Sequence, residues 1–137
     1  MSQVDKFLVD TDIIIYWLNN KYPQINQKII DVGDDKIFIS SITVAELFYG
    51  AYNSSNPEKN LKLINDLILE INVINFDPKA GEQFGNIKAE LKITGKIIND
   101  SDLFIAAAAI SNEMKLVTNN EKHFQRIKNL KIENWSK

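Results

Sequence analysis

Short apolar runs rich in β-branched residues alternate with stretches of helical hydrophobic spacing along this 137-residue chain. The runs predicted as strands cover residues 6–9, 36–39, 72–75, 115–118 and 130–133. Because strands separated by helices pair in parallel and need cover on both faces, the pattern predicts an α/β fold. We expect a three-layer α/β/α sandwich around a mostly parallel central sheet. No repeat or low-complexity segment interrupts the pattern, so residues 1–137 are expected to form one domain.

The segments between the predicted strands carry helix signals of different strength. Residues 43–52 and a long stretch after Pro57 are predicted to be helical. Asp77 and Pro78 fit the start of a further helix, for which Gly95 is the expected end. A helix that starts near Asp100 is apolar nearly all round over residues 103–110, which predicts a central helix packed on several sides.

Composition places few limits on function. The chain is 45% hydrophobic and contains no cysteine, which excludes disulfides, thiolate metal sites and cysteine nucleophiles. No run is long enough to span a bilayer and the start carries no signal-peptide pattern, so we expect a soluble, cytoplasmic protein with no membrane partner. The formal net charge is −2, although residues 86–137 carry nine basic and six acidic side chains. Overall charge therefore does not identify a nucleic-acid-binding protein.

Three acidic residues lie near predicted helix starts that follow strands or loops. Asp10 directly follows the first strand, Glu46 follows the second, and Asp102 lies in the first turn of the most buried helix. Each acid also has a purely structural interpretation. Asp10 fits a helix cap, Thr43 and Glu46 fit the S/T-x-x-E capping box, and Asp100 fits the cap of the helix that contains Asp102.

The joint arrangement of the three acids favours a metal site. The carboxyl ends of parallel strands meet at one edge of a sheet, so the three helix starts are expected to converge there. Clustered carboxylates repel each other, and one must take up a proton unless a cation neutralises them. Oxygen ligands in a chain with one histidine and no cysteine select Mg²⁺ or Mn²⁺. Such a site binds a phosphodiester oxygen and activates water, which is nuclease chemistry.

Several motifs together resemble a known family. The chain resembles PIN domains, and more narrowly the VapC-type toxins of bacterial toxin-antitoxin pairs. The resemblance rests on LVDTD at 8–12, SITVAEL at 41–47, DLFIAA at 102–107, LVTNN at 116–120, Phe124 and IENW at 132–135, in family order and spacing. It implies a metal-dependent endoribonuclease with Asp10, Glu46 and Asp102 as catalytic, metal-binding acids. Thr11 and Thr118 would be the polar side chains that orient them.

The chain departs from the family pattern at two positions. The family often has a fourth acid at the position aligned with Asn120, and both Asn119 and Asn120 are amides here. An amide can orient water or bind a metal through its carbonyl oxygen, but it brings no negative charge. The usual glycine is replaced by Asn99, while Asp100 is an additional acid that could partly substitute for the missing one.

Further residues are assigned to RNA and protein partners. Basic side chains that could meet the RNA backbone, but that are equally expected as solvated surface, are Lys88, Lys92, Lys122, Arg126 and Lys128. His123 is expected to be a surface or satisfied histidine, since the sequence identifies no acid beside it. The resemblance implies a homodimer and a VapB-like antitoxin. Aromatic residues that are core candidates first, and antitoxin-groove candidates by resemblance, are Trp17, Phe48, Tyr49 and Tyr52.

Two alternative functions remain open from the sequence. A PIN-like scaffold could bind RNA or protein without cleaving it, because the fourth acid is absent. A haloacid dehalogenase-type phosphatase also begins with a strand that ends in Asp-x-Asp, and it would use Asp10 as a covalent nucleophile. Against the phosphatase, Ile14 stands where that family has threonine or valine, and the chain is short for that fold.

Overall fold

The computed structural model describes residues 5–137, so residues 1–4, where we expect no targeting segment, lie outside the described part. Five strands are present: β1 (Phe7–Val9), β2 (Ile37–Ser40), β3 (Asn72–Ile74), β4 (Lys115–Val117) and β5 (Ile132–Glu133). They form one sheet in the order β3-β2-β1-β4-β5, and all four neighbouring pairs are parallel. The predicted parallel sheet is confirmed, with strand boundaries within about two residues of those expected.

Seven α-helices connect and flank these strands. They are α1 (Thr11–Leu18), α2 (Pro23–Val32), α3 (Ser41–Tyr52), α4 (Pro57–Glu70), α5 (Pro78–Thr94), α6 (Asp100–Ser111) and α7 (Glu121–Phe124). A short 3-10 helix, Asp34–Lys36, precedes β2. Gly95 ends α5 in the left-handed conformation with φ of 74°, as the sequence predicts. Helix α7 was not predicted, because a four-residue helix carries almost no periodic signal.

Successive side chains of the central strands point to opposite faces of the sheet, which divides the core into two layers. Leu8 of β1 packs with α5, α6 and α7, whereas Phe7 and Val9 pack with α1 to α4. On the first side, the alanines at 106–109 of α6 are at most 1% exposed, and these small side chains let the helix lie close to the sheet. The predicted three-layer α/β/α sandwich is therefore confirmed, with α6 as its central helix.

Two predicted helix caps are wrong. Helix α3 is capped by Ser40, whose Oγ accepts a hydrogen bond from the Thr43 N–H at 3.1 Å, so Thr43 and Glu46 do not form the expected capping box. Helix α6 is capped by Asn99, whose Oδ1 accepts from the Asp102 N–H at 2.9 Å, and Asp100 is the first residue of the helix. In both places a neighbouring polar residue competes for the same role, and the strand or loop geometry decides which one caps the helix.

The strand order reverses direction between β1 and β4. The chain moves outward from β1 to β2 and β3, and then returns to the other side of β1 with β4 and β5. In open parallel sheets, ligands bind outside the carboxyl ends of the strands at such a reversal. Asp10 follows β1 and Thr118 follows β4, so both lie at this position. Among the described residues, none of the helices has the length and apolar content needed to cross a membrane.

Candidate active site

Asp10 is fixed at the point where the strand order reverses. Its backbone N–H donates to the Val117 carbonyl at 2.8 Å, which continues the β1–β4 ladder by one residue. Its carboxylate accepts from the Thr11 N–H at 2.8 Å and from the Thr118 hydroxyl at 2.7 Å. The side chain is thus both the cap of α1 and part of a polar cluster, so the capping interpretation of Asp10 is confirmed without excluding a catalytic one.

Glu46 links the starts of two other helices. Its Oε1 accepts from the Thr11 hydroxyl at 2.7 Å, and its Oε2 accepts from the Ser101 hydroxyl at 3.0 Å. Thr11 directly follows Asp10, and Ser101 directly precedes Asp102. The carboxylate of Glu46 therefore lies between the starts of α1 and α6, although Glu46 itself is in the second turn of α3 and not at the start of that helix.

Asp102 is bonded to the cap of its own helix and lies beside a histidine. Its Oδ2 accepts from Nδ2 of Asn99 at 3.1 Å and lies 3.4 Å from Nδ1 of His123. Nδ1 of His123 is also 2.8 Å from Nδ2 of Asn120. His123 therefore agrees with the expectation of a satisfied histidine, and the structure adds the acidic neighbour that the sequence did not identify. The signal that could have revealed it is its position three residues after Asn120, within one turn of helix.

Burial and, to a smaller extent, repulsion between carboxylates change the protonation of Asp10. Burial raises the pKa of this group to about 7, with further upward contributions from Asp12 and, more weakly, Asp102. Hydrogen bonds from Thr118 and Thr11 act in the opposite direction. The pKa of Asp12 is also raised, mainly by burial. At neutral pH Asp10 is therefore only partly ionised, because its buried surroundings disfavour the charged form.

Asp12 belongs to this cluster, although the sequence interpretation did not assign it. Its Oδ1 accepts from the Ile13 N–H at 2.7 Å and its Oδ2 from the Asn119 N–H at 3.1 Å. Asp100 is placed differently, since its Oδ1 lies 2.9 Å from Nζ of Lys88 and its side chain is 56% exposed. Asp12 is therefore better placed than Asp100 to add charge beside Asp10, and its position two residues after Asp10 was the available signal.

The amide pair after β4 connects the cluster to the rest of the sheet edge. The side chain of Asn119 donates to the Tyr16 hydroxyl at 3.3 Å and accepts from Nδ2 of Asn134 at 3.2 Å. The Asn120 N–H donates to the Thr118 hydroxyl at 3.0 Å. Asn119 thus braces neighbouring elements, whereas Asn120 lies between Thr118 and His123.

The predicted RNA-contacting residues occupy several places around the cluster. Lys88 pairs with Asp100, and its Nζ lies 5.6 Å from the centroid of the Phe84 ring. Arg126 donates from Nη1 to the Ile97 carbonyl at 3.0 Å, so part of its guanidinium is already engaged. Lys122 lies in α7 beside His123, and Lys92 lies in the last turn of α5. These assignments, together with that of Lys128, stay predictions.

The four aromatic candidates separate into two pairs. Trp17 and Phe48 are partly buried against the core, which confirms their interpretation as core residues, while Tyr49 and Tyr52 are 70% and 67% exposed. A groove of about 270 Å³ lies beside the acids between α1, α3 and α4, and none of these aromatics lines it. Its lining is mainly aliphatic and includes Ile15, Leu18, Leu47, Leu63, Ile64 and Glu46. Tyr49 borders a second depression of about 600 Å³, which also reaches Thr11, Glu46 and Ser101.

The chemistry of the cluster suits a divalent cation, although its side chains are not closed around one. Within residues 5–137, no three His, Cys, Asp or Glu side chains are arranged to hold a metal ion. Each oxygen of Asp10 and Glu46 accepts one hydrogen bond and keeps a second lone pair. These oxygen donors, and the buried negative charge that a cation beside Asp10 would neutralise, fit Mg²⁺ or Mn²⁺, provided that the carboxylates move together on binding.

Comparison with known proteins agrees over nearly the whole chain. The family model for the PIN domain matches residues 7–130. Ribonuclease VapC2 of Haemophilus influenzae is 42% identical over 130 residues, covering 95% of this chain and 98% of that protein. The tRNA(fMet)-specific endonuclease VapC of Shigella flexneri is 37% identical over 131 residues, covering 96% and 98%. The crystal structure of DNA-bound VapBC from Salmonella typhimurium superposes with a TM-score of 0.90 at 37% identity, covering 96% of this chain and 98% of that one.

Proposed function

Because this chain belongs to the PIN domain family, among its VapC ribonucleases, we propose that it is the endoribonuclease toxin of a toxin-antitoxin pair. The observation that carries the proposal is that Glu46, through the Thr11 and Ser101 hydroxyls, lies between the residues that neighbour Asp10 and Asp102, where burial disfavours the charge of Asp10. The family match over residues 7–130 rejects the haloacid dehalogenase-type phosphatase, in which Asp10 would be a nucleophile.

In this proposal, Asp10, Glu46 and Asp102 hold Mg²⁺ or Mn²⁺. Such an ion lowers the pKa of a water molecule and stabilises negative charge on the leaving oxygen. Thr11 and Thr118 orient the Asp10 carboxylate through the two hydrogen bonds that it accepts. Because the pKa of Asp10 is raised to about 7, binding of the ion at neutral pH must displace a proton from this group.

The products distinguish this chemistry from the common alternative for RNA. Attack by water leaves a 5′-phosphate and a 3′-hydroxyl, whereas attack by the neighbouring 2′-hydroxyl leaves a cyclic phosphate. When water is the nucleophile, the described residues do not have to provide a base that deprotonates the 2′-hydroxyl of the RNA. New ends with a 5′-phosphate are therefore the expected product.

The partner proteins follow from the same family. The Salmonella structure is a VapBC complex, and we propose that this chain also binds a VapB-like antitoxin. The aliphatic groove between α1, α3 and α4 reaches Glu46, so an antitoxin segment lying in it would extend to the acid cluster. The implied homodimer and the cytoplasmic location of an RNA-cleaving toxin belong to the same proposal.

A direct test uses defined and total RNA. The name of the Shigella relative makes initiator tRNA the first substrate to try, followed by total cellular RNA with sequencing of the new ends. Cleavage is expected with Mg²⁺ or Mn²⁺ and not with a chelator. Asp10→Asn should reduce the rate by roughly 100-fold or more, because it removes a charged ligand, whereas Asp100→Asn should stay within about threefold.

A non-catalytic scaffold is the second candidate. The amides at Asn119 and Asn120, and the absence of a closed three-ligand arrangement in residues 5–137, favour it. The scaffold predicts RNA binding without new ends in either metal, and equal RNA affinity for the wild type and Asp10→Asn. Metal-dependent cleavage that Asp10→Asn abolishes in a folded protein rejects it.

A further inference from the structure

A chain of hydroxyl groups leads through the protein to Glu46. The Thr11 hydroxyl, which donates to Oε1 of Glu46 at 2.7 Å, lies 3.0 Å from the Thr43 hydroxyl. The Thr43 hydroxyl lies in turn 3.5 Å from the Ser40 hydroxyl. On the other side, Ser101 donates to Oε2 at 3.0 Å. Glu46 therefore receives hydroxyl groups from α1 and α6, and one of these is supported from within α3.

The carboxylate of Glu46 fixes the direction of the hydrogen bonds in this series of hydroxyl groups. A hydroxyl has one hydrogen, and a carboxylate can only accept. Thr11 gives its hydrogen to Glu46 and must accept from Thr43, so the hydrogen of Thr43 points toward Thr11. Thr43 and Ser40 are 0% and 1% exposed, and buried hydroxyls that lose a partner are costly. The orientation of Thr43 is thus set by the acid at the end of the chain.

Helix capping does not explain the hydroxyl groups of Thr43 and Ser101. Ser40 caps α3 by accepting from the Thr43 N–H, a role that leaves the side chain of Thr43 unused. Asn99 caps α6, so the Ser101 hydroxyl is not needed there either. Both Ser101 and the Thr43–Thr11 pair lead to the carboxylate of Glu46, which accepts hydrogen bonds from Ser101 and Thr11.

We propose that Ser101 and Thr43 are positioning residues for Glu46, Ser101 directly and Thr43 through Thr11. Glutamate has three rotatable bonds, and a ligand that must be ordered on binding loses affinity through the entropy of ordering. Two hydroxyl groups on opposite oxygens fix the carboxylate before the ion arrives, as hydrogen-bond partners of metal ligands do in general. This role rests on the proposed function, in which Glu46 binds the metal.

The test measures metal affinity separately from activity. Mn²⁺ is titrated calorimetrically into the full-length wild type and Ser101→Ala, and cleavage of the same RNA gives kcat and KM. Ser101→Ala is expected to weaken Mn²⁺ binding by about 10-fold or more and to lower kcat at limiting Mn²⁺ with little change in KM. Ser101→Thr keeps the hydroxyl and should restore both values. Ser111→Ala, the same change at the far end of α6, should match the wild type.

Thr43→Val provides a second variant of nearly the same shape. It should also weaken Mn²⁺ binding, by less than Ser101→Ala, because it acts through Thr11. If Thr43→Val fails to fold, Ser101→Ala decides alone, since Ser101 is only partly buried. If the wild type binds Mn²⁺ and cleaves RNA, and Ser101→Ala does both equally well, the positioning role is overturned. A wild type that neither binds Mn²⁺ nor cleaves RNA instead overturns the proposed function and this role with it.

Discussion

Thr118 donates its hydroxyl to Oδ2 of Asp10 at 2.7 Å, across 108 positions of sequence and between the ends of two adjacent parallel strands. Both side chains are buried, Thr118 fully and Asp10 to 5% exposure. This bond ties the acid with the most strongly raised pKa to the neighbouring strand. The stability of the metal-free protein and its affinity for a cation therefore depend on the same small group of atoms.

Asp10→Asn should stabilise the metal-free protein at high pH. Because the pKa of Asp10 rises from 3.8 to about 7 on folding, the folded state binds more protons than the unfolded state between these values. Stability therefore falls as pH rises from about 4 to about 7. At pH 8 the variant should exceed the wild type by roughly 1–4 kcal/mol, and at pH 4 by close to zero. Urea denaturation at both pH values in a chelator measures this, and an equal difference at both would contradict it.

Thr118→Val should shift metal binding to higher pH. The Thr118 hydroxyl stabilises the charged form of Asp10, so its loss raises the pKa of that carboxyl further above its ordinary value. Mn²⁺ must then displace a more tightly held proton, and the midpoint of the affinity-against-pH curve should move upward. The folded protein should also lose about 1–2 kcal/mol in free energy of unfolding. A midpoint that stays in place while stability falls would show that Thr118 supports the fold and not the acid.

Asp12→Asn and Asp100→Asn should differ in their effects on Mn²⁺ binding and on the pKa of Asp10, although each removes one negative charge near a helix start. Asp12 is the neighbouring charge with the larger effect on the pKa of Asp10, whereas Asp100 pairs with Lys88 at the surface. Asp12→Asn should therefore lower the pKa of Asp10 and weaken Mn²⁺ binding several-fold. Asp100→Asn should change the free energy of Mn²⁺ binding, and that of Asp10 ionisation, by no more than about 0.5 kcal/mol. Calorimetric titration of both variants decides, and equal effects would reject the special place of Asp12.

Lys122→Ala should weaken RNA binding in a salt-dependent way. Lys122 lies in α7, next to His123 of the acid cluster. If it contacts one phosphate, the slope of log affinity against log salt concentration should fall by about 0.7 for a single-stranded substrate. Lys62→Ala is the matched control, because Lys62 pairs with Asp66 on the surface of α4. The contact would be rejected by equal salt slopes for Lys122→Ala and the wild type.

The fold was largely predictable because hydrophobic period and turn signals agree along the chain. The alternation of strand and helix, the buried helix α6 and the left-handed Gly95 all follow from local sequence. Strand β5, predicted from residue 130, begins at Ile132 because pairing with β4 and not local propensity sets its limits.

The site was predicted in outline and not in detail. Asp10 lies at the carboxyl end of β1 as the predicted strand order implies, whereas Asp102 follows no strand, and the contact of its neighbour Ser101 with Glu46 depends on how α6 packs. The roles of Ser40, Asn99 and Ser101 depend on which of several adjacent polar residues faces inward, and sequence spacing does not fix this. Similarly, the raised pKa of Asp10 arises from its burial among residues distant in sequence, so no local pattern could reveal it.

The proposed function requires that Asp10, Glu46 and Asp102 share one divalent ion. Anomalous diffraction from crystals of the wild type grown with Mn²⁺ tests it most directly. We predict an anomalous peak with carboxylate oxygens of all three residues about 2.1 Å away. A well-ordered site without a peak at saturating Mn²⁺, or a peak bound by other residues, would contradict the account.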